Sequence, residues 1–304
     1  MAGKTVLITG SNVGLGKDSA RQFAESGEVD KVYLAVRTPA KGEAAAKDLA
    51  EATGKDIFEV VEVDTTKPKT IKAAIKSVDP IDIIVMNAGG VAGDDFGEVT
   101  DGGVTYAAHL NLLGHAQLTE GLIKAKKLNN TVVFVSSEIA RGIPQMRLKK
   151  PTLDLGSEKA IKAVLAGKDD ETLGDQMQMY GAVKRIGTLW ASALARKHPE
   201  LRVVSVSPGG TSGTDGFKNM KTPARQFYTF MSKTVMPLFG FMHSLDKGAE
   251  RYVQVGLSDE YATGSFYASG RKATGPMTNQ SDEHPEFDNE EYQDNAYKAL
   301  HSFM

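Results

Sequence analysis

The sequence predicts an α/β protein built on one doubly wound, seven-stranded parallel sheet with helices on both faces. Two features predict it. Short continuous runs of Val, Ile and Leu recur without polar alternation, the pattern of strands buried on both faces, and helical stretches separate them. A glycine-rich segment also joins the first run to the first helix. In order, Thr5–Thr9 is the first strand and Lys17–Ser26 the first helix; Lys31–Val36 and Lys41–Thr53 follow, then Phe58–Val63 and Thr70–Val78. Ile81–Met86 precedes a long helix, Gly103–Lys127, and Thr131–Val135 precedes the helix Gly181–Lys197. Arg202–Ser207, the helix Asp246–Leu257 and the strand Ser265–Ala268 complete the alternation. Ligands of such sheets sit at the carboxyl ends of the strands, so the residues just after each strand are the first candidates for function.

At 304 residues the chain has room for one or two domains. No linker composition or internal repeat divides it, so residues 1–304 are read as a single domain. It carries an insertion at about 138–179 with a helical patch at Ser157–Ala166, an aromatic- and Met-rich excursion at about 209–244, and an acidic surface tail at about 270–304. A net charge of −2 supplies no positive field for nucleic acid or anionic lipid. The absence of Cys removes disulfides, thiolate nucleophiles and Cys-based metal sites together. No metal constellation is expected from His109 and His115 either, which read as packed helix residues. With no leader and no apolar run long enough to span a bilayer, a cytoplasmic setting is expected.

After the first strand comes Thr9-Gly10-Ser11-Asn12-Val13-Gly14-Leu15-Gly16, opening into a helix. Glycines at such a turn let backbone approach a pyrophosphate closely, and the helix start offers free N–H groups and a positive dipole end. Candidate dinucleotide contacts here are Gly10, Ser11, Asn12, Gly14, Leu15 and Gly16. The second strand ends in Val36-Arg37-Thr38, with Lys41 following. An acid at that place would accept the ribose hydroxyls of NAD; a guanidinium instead matches a 2′-phosphate, so NADP(H) is the expected cofactor. Asp64 and Thr65, Asn87-Ala88-Gly89, and Pro208-Gly209 with Thr211 stand at three further strand ends, where adenine and nicotinamide would lie.

Tyr180 and Lys184 are four apart near the start of a helix and share one face. A neighbouring ammonium is expected to lower the phenol pKa, making Tyr180 a general acid toward a carbonyl or a base toward an alcohol. The fifth strand ends in Ser136-Ser137, where a hydroxyl can donate to a developing oxyanion.

These residues together resemble the short-chain dehydrogenases/reductases: Thr9–Gly16, Asn87-Ala88-Gly89, Asn111, Ser137, Tyr180 with Lys184, and Pro208-Gly209 stand in that family's order from about Lys4 to Ala268. The resemblance implies a Rossmann-type reductase with a tetrad. Tyr180 would transfer the proton, and Ser137, rather than Ser136, would hold the substrate oxygen. Lys184 would bind the nicotinamide ribose and depress the Tyr180 pKa; Asn111 would hold a relay water.

The stretch between Ser137 and Tyr180 is longer than in most of that family and resembles insertions in monomeric carbonyl reductases and in light-dependent protochlorophyllide reductases. It would cover the helix face used by tetrameric members, so a monomer or weak homodimer is expected. Likeness to the protochlorophyllide reductase branch extends to Asp246–Arg251 and Gly264–Tyr267, and retinol dehydrogenases are similar over a shorter stretch. Ile186 stands where the protochlorophyllide branch carries a reactive Cys, which disfavours the photochemical C=C reduction. Gly213 replaces an expected Thr after Pro208, and Thr214 is the candidate to take over its cofactor contact. The aromatic excursion suits a lid over an apolar substrate, with shallow membrane attachment as the weaker alternative. The expected activity is therefore NADP(H)-dependent interconversion of an apolar aldehyde or ketone and its alcohol; a non-catalytic NADP sensor is the alternative of another class.

Overall fold

The structure, a computed structural model, describes residues 3–146, 148–212, 241–270 and 272–304. Its strands are β1 (Lys4–Thr9), β2 (Val29–Val36), β3 (Phe58–Glu62), β4 (Ile81–Met86), β5 (Leu128–Val135), β6 (Arg202–Val206), β7 (Phe266–Ser269) and β8 (Met277–Asn279). They form one sheet in the order β3-β2-β1-β4-β5-β6-β7-β8, parallel throughout except for β8, which runs antiparallel to β7. Order reverses between β1 and β4, the switch point at which a crevice opens above the carboxyl ends of the strands.

Alternation along each strand divides the core into two layers. Leu7, Val132 and Phe134 face the helices α5 (Gly114–Lys124) and α8 (Gln176–Lys197), whereas Val6, Ile8, Val133 and Val135 face α1 (Gly14–Glu25) and α9 (Leu245–Leu257). On the edge beyond β1, α2 (Pro39–Thr53) and α3 (Pro68–Ser77) return the chain between strands. The long helix expected over Gly103–Lys127 is composite: α4 (Tyr106–Ala108), a π-helical turn (His109–Leu113) and α5. Asn111 lies in that turn.

The strand count is corrected from seven to eight. Met277-Thr278-Asn279 is too short and too polar to announce a strand, and it pairs only because β7 offers an open edge. The C-terminal stretch is likewise no surface tail. Helix α10 (Glu290–His301) buries Ala296, Ala299 and Leu300 against α8 and α6 (Glu158–Leu165), while short α7 (Asp170–Leu173) leads into α8. Arg196 of α8 binds Asp294 at 2.6 Å, and Glu120 accepts from Trp190 Nε1 at 3.1 Å and pairs with His301 Nε2 at 2.9 Å. With these neighbours α8 is buried almost all round, from Met179 to Ala195.

Candidate active site

The crevice at the switch point has a volume of about 840 Å³. Its nucleotide half begins at the glycine loop. Gly10 adopts φ +67°, and a β-carbon there would stand 3.0 Å from the Ala88 backbone, so the loop and the Asn87-Ala88-Gly89 segment are pressed together. Asn87 Nδ2 donates to the Thr9 carbonyl at 2.8 Å and to the Gly10 carbonyl at 3.3 Å, and Ala88 N–H donates to Thr9 Oγ1 at 2.9 Å. Helix α1 starts behind this loop with no side-chain cap at Val13 and no acid in its first turn. Its N–H groups and dipole are thereby left to an anion. This combination of a glycine-pinned turn and an uncapped helix start fits a pyrophosphate.

Arg37 and Lys41 line the crevice beyond the carboxyl end of β2; both are exposed, and neither pairs with a carboxylate among the described residues. Asp64 is buried and already accepts from Thr66 N–H at 3.0 Å and Thr66 Oγ1 at 2.7 Å. Thr65 Oγ1 donates to the Leu110 carbonyl at 3.2 Å.

The reactive half is assembled from the end of β5, helix α8 and the π-turn. Lys184 Nζ is buried, donates to the Val135 carbonyl at 2.8 Å, and lies 5.7 Å from the centre of the Tyr180 ring. Ser137 and Tyr180 both line the crevice, and Ser137 Oγ accepts from Ile139 N–H at 3.4 Å. Ser136 instead turns its hydroxyl to Thr188 Oγ1 at 2.7 Å, inside the core, which favours Ser137 as the residue facing a ligand. Asn111 accepts from Gly90 N–H at 2.9 Å and donates to the Gly90 carbonyl at 3.1 Å and the Ala107 carbonyl at 3.0 Å. Its carboxamide is therefore spent as a clamp on the segment after Gly89, and a water held at Asn111 would have to use the main-chain carbonyl.

The electrostatics correct one expectation. Burial pushes the Tyr180 phenol up to about 12; the Ser137 hydroxyl opposes this, and the Glu138 carboxylate adds to it. The Lys184 ammonium does not offset that rise, because burial brings its own pKa down to about 7 and its proton is directed at Val135.

His115 behaves as the packed residue expected. It meets Thr9 Oγ1 at 3.1 Å, and burial, with the nearby Lys184, lowers its pKa to about 3. The unfolded chain takes up that proton near pH 6.5, so between pH 6.5 and 3 it binds more protons than the fold, and stability falls as pH is lowered. Glu286, also burdened by burial but held down to about 2 by Lys150 and Arg185, adds to the loss below pH 4.5. The melting temperature is expected to decline steadily from pH 6.5 downward; a flat profile between pH 6.5 and 4.5 would contradict this.

Every candidate among the described residues lines the crevice except Ser11, Gly16 and Asn111, which are packed beneath it; Ser11 Oγ, for instance, donates to the Ile8 carbonyl at 2.9 Å. Thr214, Gly213 and nearly all of the expected lid lie outside the described residues. The structure adds wall residues that the sequence did not single out, besides Met242 of the expected lid. Ile143, Met146, Leu148 and Met177 line the crevice from the insertion and the start of α8, and Met242 and Tyr252 from the other side. Glu138 is a further addition: buried directly after Ser137, it accepts from Ser207 Oγ and from Ser269 N–H at 3.1 Å, and stands 3.6 Å from Arg251 Nη1. This carboxylate ties the ends of β5, β6 and β7 together under the reactive half. A charged residue in an apolar strand end was the available signal.

Among the described residues no helix is long and apolar enough to cross a membrane, and no group of three His, Cys, Asp or Glu is arranged to hold a metal.

Comparison with known proteins agrees with this architecture. Mouse retinol dehydrogenase 12 is 35% identical over 200 residues, covering 64% of this chain and 57% of that protein. The short chain dehydrogenase virL of Hypocrea virens is 30% identical over 223 residues, covering 72% and 63%. The chain spans about half the length of the human retinol dehydrogenases it matches, 49% in the case of retinol dehydrogenase 12. In fold it is similar to L-sorbose reductase from Gluconobacter frateurii, with a TM-score of 0.65, 21% identity and coverage of 90% and 97%. Salutaridine reductase from Papaver somniferum gives 0.61 at 20% identity, covering 86% and 99%. Residues 4–147, which carry the glycine loop, the Asn111 turn and Ser137, match the family model described as short chain dehydrogenase, and the chain belongs to the short-chain dehydrogenase/reductase family of oxidoreductases.

Proposed function

We propose that this chain is an NADP(H)-dependent oxidoreductase that reduces the carbonyl of an apolar aldehyde or ketone, or oxidises the matching alcohol. The observation that carries the reading is the meeting of Ser137, Tyr180 and Lys184 in the same crevice as a glycine-pinned, uncapped helix start. Arg37 and Lys41 support the phosphorylated cofactor, being cations without a carboxylate partner among the described residues at the β2 end. The G. frateurii neighbour, described in complex with NADPH, lends further support. Ile143, Met146, Leu148 and Met177 give the substrate side an apolar wall, which suits a lipophilic ligand of the kind that the name retinol dehydrogenase denotes.

Bound NADPH supplies the hydride. Tyr180 donates its phenolic proton to the carbonyl oxygen, and the Ser137 hydroxyl donates to the same oxygen as negative charge builds there. Lys184 would hold a ribose of the bound cofactor, and Asn111 keeps the loop after Gly89 in place. Steady NADPH oxidation with some apolar aldehyde or ketone is expected in a spectrophotometric assay. Binding of NADPH without turnover across such a panel would point to a sensor instead. Ser137→Ala should lower turnover by about 10²-fold, whereas Ser136→Ala should leave it near wild type; equal effects would overturn the assignment of Ser137.

We further propose a monomer, since α6 and α10 already pack on α8. Light scattering should return the mass of one chain, 32.6 kDa; a dimer mass would contradict it.

A further inference from the structure

Tyr252 is a crevice residue that the chemistry above does not use. Its side chain is fully buried in α9, its hydroxyl has no hydrogen-bond partner among the described residues, and yet the residue lines the crevice. Native folds rarely leave a buried hydroxyl unpaired, so such a group at the wall of a crevice calls for an explanation.

The surroundings say which ligand. Gly248 lies one turn before Tyr252 on the same helix face, and a β-carbon there would stand 2.6 Å from Thr211 Oγ1 and 2.8 Å from Leu15 Cδ2. Both neighbours line the crevice, Leu15 from the glycine loop and Thr211 from the loop after β6. Side chains on a helix tilt toward its N-terminus, so the Tyr252 ring leans back toward that junction. Its apolar neighbours are in the core layer of Val135 and Val206, the last residues of β5 and β6, on the α1 side of the sheet. Helix α8, whose start carries Met177 of the apolar wall, packs on the opposite face of the sheet. The side chain is thus placed beneath the crevice on the α1 side, within electrostatic reach of Tyr180 and Glu138 at its reactive half.

We propose that the Tyr252 hydroxyl donates a hydrogen bond to an oxygen of the bound dinucleotide where it passes between the glycine loop and the Pro208 loop. This assignment rests on the nucleotide-binding reading. Exchange of Tyr252 for Phe removes one oxygen and keeps the ring that packs α9 on the sheet. Calorimetric titration of the full chain with NADPH should show a Kd about fivefold to tenfold higher for Tyr252→Phe than for wild type. NADH should weaken by the same factor, because the contact is remote from the 2′-phosphate. Without ligand, the melting temperature of the variant should be unchanged or raised by roughly 2 °C, since no bond is lost and an unpaired group is removed. A hydroxyl with a merely structural role gives the opposite pair, an unchanged Kd and a lower melting temperature. Either of those results overturns the assignment. Wild-type protein that fails to bind NADPH would overturn the nucleotide reading and this assignment with it; equal binding by both proteins overturns this assignment alone.

Discussion

Tyr180→Phe is expected to cut turnover by about 10²–10⁴-fold while leaving NADPH affinity close to wild type. The substitution removes only the phenolic hydroxyl and keeps the ring beside Lys184. Because burial holds the phenol at about 12, it stays protonated across the neutral range and is ready to act as an acid. Reduction of a carbonyl should therefore vary little with pH on this account. Oxidation of the alcohol needs the phenolate and should accelerate as pH rises. Comparing the pH profiles of the two directions checks the role, and near-wild-type turnover by Tyr180→Phe would remove Tyr180 from the chemistry.

That profile also shows where sequence reasoning was sufficient and where it stopped. Tyr180 and Lys184 share a helix face because of their spacing alone, so their proximity was legible. The sign of the Tyr180 shift was not. It depends on the burial of the phenol beside Glu138 and on the Val135 carbonyl that accepts from Lys184 Nζ, both of which are tertiary facts. Seven strands were legible because Val, Ile and Leu runs demand burial on two faces, whereas β8 owes its existence to the open edge of β7 rather than to its own three residues. Asn111 was identified through a resemblance, yet the π-turn that presents it is invisible in His109-Leu110-Asn111-Leu112-Leu113, which reads as ordinary helix. Tyr252 was hidden for a related reason. It falls on the apolar face of α9 with Gly248, Ala249 and Val255, so its pattern is that of a core residue, and only the packed neighbourhood reveals a hydroxyl without a partner.

Arg37→Asp is expected to shift the NADPH-to-NADH preference by a factor on the order of 10³, through three contributions that act in one direction. The first is loss of charge-assisted hydrogen bonds to the 2′-phosphate, about 1.5–3 kcal/mol, or roughly 10–150-fold in affinity for NADPH. The second is repulsion between the new carboxylate and that phosphate, which is screened here because position 37 is exposed. The third is a gain for NADH, as a carboxylate at the end of β2 accepts from the ribose hydroxyls. Lys41 remains in the variant as a point charge near the same place, so NADPH binding should weaken without vanishing. Raising the salt concentration should therefore weaken wild-type NADPH binding more than NADH binding, and the difference should shrink in the variant. Dissociation constants for both nucleotides, measured in both proteins at two ionic strengths, test the whole argument. An unchanged ratio would mean that the cation at the end of β2 does not touch the ligand, and the preference for NADP(H) would lose its physical basis.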